Sequence, residues 1–200
     1  MKNLFLIFGL FFHATVQAKQ APLNPLQELK KMTYQYAHQG YVYSTVEKIS
    51  TSAFFSKKAK KISGKIYFAK NHLKMIFDDE PQQIYLYKNG KSWVKSGKDP
   101  KVELKTSAKH PLLSLVLGQD KELEKYNIKL LSQKGKVIVL ELKPKVKSSA
   151  EAFVKAIIDI DTSRPTIDRL RFWDDLKNKT EITFKKTRFK KKFKNKYFVL

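Results

Sequence analysis

The side chains able to do chemistry are few and scattered. There is no Cys, which removes thiolate nucleophiles, thiolate metal sites and disulfides. The four His are His13, His38, His72 and His110, and none share a spacing that would bring two imidazoles to one metal ion. Carboxylates cluster at Asp78-Asp79-Glu80, just before Pro81, and at Asp174-Asp175. Paired carboxylates can divide acid and base roles. Both clusters lack a partner acid, base or nucleophile, and both read as turns. No Gly-rich phosphate loop or nucleophile elbow occurs. The expectation is therefore a protein that is not an enzyme, with no cofactor and no metal site.

What the chain offers in abundance is charge and apolar surface. It carries 41 Lys+Arg against 18 Asp+Glu, net +23, a field that attracts polyanions, anionic membranes and acidic partners. Its first residues look like an export leader. Lys2 is the charged start, Leu4 to Phe12 is an apolar run broken only by Gly9, and Val16-Gln17-Ala18 suits a signal peptidase. The run is about half of the roughly 20 residues a bilayer span needs. The expected organisation is a cleaved signal peptide over 1–18 and a single domain over 19–200 with a basic C-terminal tail. Behind such a leader the anions within reach are lipid head groups, envelope glycolipids and acidic protein patches, not nucleic acid.

The elements follow from spacing. Asn24 can cap a helix and Pro25 suits its first turn. Leu26, Leu29, Met32, Thr33, Tyr36 and Ala37 then recur at three and four, up to a stop at Gly40. After Gly40 the period becomes two. Strands are expected over 43–55, 65–69, 73–77, 84–87 and 92–95, the last two joined by the hairpin signal Asn89-Gly90. Residues 97–110 read as a polar loop. Pro111 then opens the apolar segment Leu112, Leu113, Leu115, Val116 and Leu117, a short helix or turn closed by Gly118. Further strands are expected over 127–131, 136–142, 152–160, 167–173 and 179–187. From Lys185 to Lys196 eight of twelve residues are Lys or Arg, set around Phe189 and Phe193. This stretch is either an edge strand guarded by lysines or a basic aromatic surface for an anionic membrane or partner. The fold class is mainly β (α+β): about nine to eleven antiparallel strands, a helix before them and a short apolar helix between.

Four segments taken together resemble the outer-membrane lipoprotein carrier family (LolA-like). They are Ile62-Ser63-Gly64-Lys65-Ile66-Tyr67-Phe68 with Lys70-Asn71 and Leu73-Lys74-Met75; Ile84 to Val94 around Asn89-Gly90; His110-Pro111-Leu112-Leu113 through Ile128; and Leu170-Arg171-Phe172-Trp173-Asp174 with Asn178 to Phe184. Their order holds over roughly residues 24 to 190. The resemblance implies an incomplete antiparallel β-barrel with an apolar concave side and a helical lid. It also implies a monomeric periplasmic carrier that takes acylated lipoproteins from an inner-membrane releasing complex to an outer-membrane acceptor. Two positions depart from the family pattern: Lys70 stands where an Arg is usual, and His110 replaces a Thr before Pro111. Lys70 keeps the charge but not the planar bidentate fork.

Strand alternation supplies the lining that such a hollow needs: Ile66 and Phe68; Leu73, Met75 and Phe77; Ile84 and Leu86; Leu140 and Leu142; Ile158 and Ile160; Leu170 and Phe172; Ile182 and Phe184. Each could equally be ordinary core. Leu112, Leu113, Leu115, Val116, Leu117 and Lys70 form the lid set, or else a fixed plug. Two other functions suit the same features: an envelope sensor of this fold that binds lipid, and a basic binder of anionic polymers.

Overall fold

The computed structural model describes residues 23–38, 41–53, 59–69, 72–104, 123–146, 153–190 and 195–200. The expected leader, the apolar segment 112–117 and Lys70 lie outside the described residues.

One helix, α1 (Pro25–His38), precedes the strands. Its cap is the one the sequence suggests: the Asn24 side-chain oxygen accepts from the backbone N–H of Leu26 at 3.1 Å and of Gln27 at 3.3 Å. A cap of this kind stabilises a helix by about 1 kcal/mol. Leu29, Met32, Thr33 and Tyr36 form its buried stripe.

Eleven strands follow: β1 (Tyr41–Thr51), β2 (Lys60–Ala69), β3 (His72–Phe77), β4 (Gln83–Lys88), β5 (Lys91–Ser96), β6 (Val102–Glu103), β7 (Tyr126–Lys134), β8 (Val137–Pro144), β9 (Lys155–Asp161), β10 (Thr166–Trp173) and β11 (Lys179–Lys190). They make one antiparallel sheet in the order β6-β5-β4-β3-β2-β1-β11-β10-β9-β8-β7. Two meanders, β1 to β6 and β7 to β11, are thus stitched together by the pairing of β1 with β11. The sheet is open, with β6 and β7 at its edges. The turn between β4 and β5 is the expected two-residue loop, with φ of 50° at Asn89 and 84° at Gly90.

The sheet must curl. Helix α1 packs on β2, β10 and β7. In a flat sheet β2 and β7 would stand six strand spacings apart, about 28 Å, whereas a 14-residue helix is only about 21 Å long. Only a sheet wrapped around the helix brings both to it.

Some strand ends shift, β1 stopping at Thr51 instead of 55 and β9 starting at Lys155 instead of 152, and three elements differ more. β2 begins at Lys60, five residues early, because Ile62 and Gly64 continue its inward face opposite Lys48 and Val46. The polar stretch 97–110 contains β6, whose Val102 pairs with Val94. The basic stretch from Lys185 extends a strand that is interior: β11 lies between β1 and β10. Past Thr183 only β1 accompanies it, so Lys185, Lys186, Arg188 and Lys190 are exposed on a half-open strand. Phe189 turns inward against Tyr36, their rings 5.9 Å apart.

Gly64 shows how tightly the wrapped sheet is built. A Cβ there would stand 2.5 Å from the Ile76 carbonyl oxygen and 2.8 Å from the Phe77 ring. Gly64→Ala should therefore destabilise the fold by about 1–3 kcal/mol, the usual cost of overpacking. Urea denaturation should give a lower midpoint at unchanged slope.

Candidate functional site: the inner face of the sheet

Register decides which side chains share a face, because directly opposed residues of antiparallel strands point the same way. Ile66 opposes Met75 and Phe68 opposes Leu73. Leu140 opposes Ile158, and Leu170 opposes both Ile158 and Ile182. With Phe77, Leu142, Ile160 and Phe184 they form one buried cluster together with Leu29, Met32 and Tyr36 of α1, and Phe172 packs against it half-buried. The expected lining of β2, β3 and β8 to β11 is thus brought to one face.

Ile84 and Leu86 are not part of it. Their partners in register are Ile76 and Lys74, while Tyr85 opposes Met75 and Tyr87 opposes Leu73. The inner face of β4 is therefore Tyr85 and Tyr87, and Leu86 joins a separate cluster on the outer face with Ala69 and Phe198. The segment Ile-Tyr-Leu-Tyr is apolar in both phases, and choosing the more hydrophobic one misplaced it. The register of β3 resolves the phase.

The middle of the inner face is filled by the helix. Tyr36 is the central contact: its ring meets Phe68 edge-on at 5.3 Å, and its hydroxyl oxygen accepts from the Ile167 N–H at 3.2 Å. Burial pushes this phenol far above its ordinary pKa, so it stays protonated. The sequence marked Tyr36 as part of an apolar stripe; nothing in the spacing disclosed that its hydroxyl would satisfy a sheet N–H.

Away from the helix the apolar face is less covered. On one wing Tyr85, Tyr87 and Val94 are half-buried, and Val102 of β6 is 57% exposed. On the opposite edge Ile128 and Leu130 of β7 are half-buried. At one end stands Lys48, opposite Ile62 and Ile182 in register, its ammonium 4.8 Å from the Phe77 ring centre. Burial lowers its pKa, and the charge of Asp79 partly restores it. The arrangement is a greasy inner wall, helix-plugged at its centre and less covered at its margins, with half-buried Lys48 at the rim.

The outer face of β1 and β8 to β11 is different in kind. Arg171 pairs with Asp159, Lys61 with Glu47 at 2.7 Å, and Lys143 with Glu141 at 3.1 Å. The lysines of the last two pairs are exposed and such pairs contribute little each, whereas Arg171 and Asp159 are half-buried.

The sequence profile of the family described as outer membrane lipoprotein carrier protein LolA matches residues 52–200. The chain belongs to this family. A search of curated proteins gives no match. Among solved structures the chain is similar to an uncharacterized conserved protein from Thermus thermophilus, at 9% identity and TM-score 0.53 over 85% of this chain and 90% of that one. It is also similar to the Pseudomonas aeruginosa MucA/MucB complex structure, at 9% identity and TM-score 0.53 over 89% of this chain and 61% of that one. A LolA superfamily protein from Nitrosomonas europaea matches over 89% of this chain and 98% of that one, at 11% identity and TM-score 0.48. The likeness to the two structures with a TM-score above 0.5 is one of fold, which in this chain is mainly β: an open eleven-stranded antiparallel sheet with a helix among the described residues.

Two substitutions test the packing of the helix on this face. Tyr36→Phe leaves the Ile167 N–H without its acceptor and should cost about 1–3 kcal/mol, read by thermal or urea unfolding. Asp168, beside the Tyr36 contact, has its pKa raised by burial first and then by Asp161. A carboxyl whose folded pKa is raised costs stability while ionised, and that cost is relieved as pH falls through the raised folded pKa, being gone below the unfolded value near about 4. Asp168→Asn should therefore stabilise at pH 7 by no more than about 0.5 kcal/mol, given solvent screening. Unfolding midpoints measured from pH 7 to pH 3 should show that gain shrinking toward zero.

Proposed function

We infer that the chain is a lipid-binding protein of the cell envelope that shelters the acyl chains of lipoproteins against the inner face of its sheet and carries them between the two membranes of the periplasm. The observation that carries this reading is the continuity of that face. An apolar row runs from the helix-covered centre through Met75, half-buried Tyr85 and Val94 to exposed Val102, with Ser92 and Ser96 on either side of Val94 on β5. Membership of the lipoprotein carrier family supports it.

Reversible carriage sets an energetic limit. Each methylene taken from water contributes about 0.8 kcal/mol, so full burial of several acyl chains would give a complex that never releases. A margin that is only half covered shelters a fraction of each chain and keeps release possible. Deeper seating needs the centre vacated, which is a displacement of α1. The reading requires no covalent chemistry, no metal and no cofactor. A releasing partner at one membrane and an acceptor at the other complete it.

Native mass spectrometry of the protein isolated from the envelope is the test. An acylated cargo retained in both low and high salt is expected. Material lost steeply with salt would instead indicate an anionic polymer held by lysines, and would overturn the reading. A charge placed on the uncovered margin, Tyr87→Glu, should lower cargo occupancy at least tenfold while leaving the far-ultraviolet spectrum of the sheet unchanged.

A further inference from the structure

The outer face of the wing formed by β2 to β5 holds a groove that acyl carriage on the inner face does not use. Its floor is Leu86 of β4 and Trp93 of β5, directly opposed in register. Its far wall is Phe198, Val199 and Leu200, which follow and end the short 3-10 turn Asn195–Phe198. That wall is held in place by three contacts. The Phe198 ring lies 5.2 Å from His72, the Tyr197 ring lies 5.3 Å from Tyr67, and the Lys74 ammonium donates to the Val199 carbonyl. The groove is thus a built feature of the fold.

Its chemistry is two-sided. The floor and far wall are apolar, while Lys88, Lys91 and Lys101 stand at the rim. Lys91 also lies 3.7 Å from Glu103, both side chains being exposed, a contact that an incoming anion can replace at small cost. The volume is about 460 Å³, within the range of about 300–1,000 Å³ typical of small-molecule sites. It is far too small for a folded partner and suited to one chain.

We propose that this outer groove binds a single-chain anionic amphiphile of the fatty-acid class, with its hydrocarbon along Leu86, Trp93 and Phe198 and its carboxylate among Lys88, Lys91 and Lys101. The site is separate from the inner face, because Leu86 and Trp93 point to the opposite side of the sheet from Tyr85 and Tyr87. It stands or falls independently of acyl carriage.

The chain has two Trp, and the second, Trp173, lies on β10 under Lys155 at 4.6 Å. Trp173→Phe therefore leaves Trp93 as a local reporter, and Trp93→Phe leaves Trp173 as its control. The probe is 12-bromododecanoate below its micellar concentration, since bromine quenches indole only in contact. Saturable one-to-one quenching of Trp93, with none of Trp173, is expected. In the Trp173→Phe chain, replacing Lys88, Lys91 and Lys101 together by Gln should weaken binding at least tenfold. The trimethylammonium analogue of the same chain length should bind at least tenfold more weakly than the acid. Absence of Trp93 quenching, equal binding of both head groups, or indifference to the lysine replacements overturns the proposal. So does quenching of Trp93 by brominated phosphatidylglycerol vesicles but not by the free acid, which would make the groove a membrane contact.

Discussion

An eleven-stranded sheet with free edges keeps one shape only if something fixes its curl, and here that is the burial of α1 against it. Tyr36 concentrates the constraint. Its ring contacts Phe68 on β2 and Phe189 on β11, and its hydroxyl receives the N–H of Ile167 on β10. Three strands from both meanders are thereby referred to one side chain. The helix supplies apolar burial and a hydrogen-bond acceptor at the place where β10 breaks register between Ile167 and Arg169. Without it the inner face would be a broad greasy surface open to water, and a patch of that size invites aggregation.

The same constraint divides the inner face into a covered centre and a less covered margin. Residues beneath α1, such as Leu170 and Ile158, are ordinary core in this arrangement. Residues at the margins, Tyr85, Tyr87 and Ile128, keep part of their apolar surface uncovered. Tyr is well suited to that position, since its ring is apolar and its hydroxyl tolerates water. The two faces of the sheet thus divide the work: grease and helix inside, paired charges and one lysine-rimmed groove outside.

Much of this was legible from residue order. The Asn24 cap, the α1 stripe and the Asn89-Gly90 turn each rest on local geometry that tertiary context did not override. The strand alternation of β2, β3 and β8 to β11 placed their inward residues correctly, because one phase of each was clearly the more apolar and the other carried most of the charged residues. Where both phases were apolar, as in β4, alternation carried no information and the neighbour's register decided. The start of β2 was obscured by Gly64, whose small size serves the Phe77 ring packed over it. β6 is too short for a periodic signal, and the docking of Phe198 on His72 joins residues far apart in sequence. The interior position of β11 was hidden for the same reason, since a lysine-rich composition looks identical on a true edge and on a half-open interior strand.

The pairing of β1 with β11 has a consequence for how the molecule comes into being. The two strands that join the meanders are separated by more than a hundred residues, so their contact is made at high loop-closure cost and late. Until residues 179–190 are available, β1 presents a full row of unsatisfied backbone groups along one side, the kind of border onto which foreign strands add. A chain emerging from its amino end is therefore at its most vulnerable just before its last strand arrives, and a holding chaperone acting in that interval would protect one specific border.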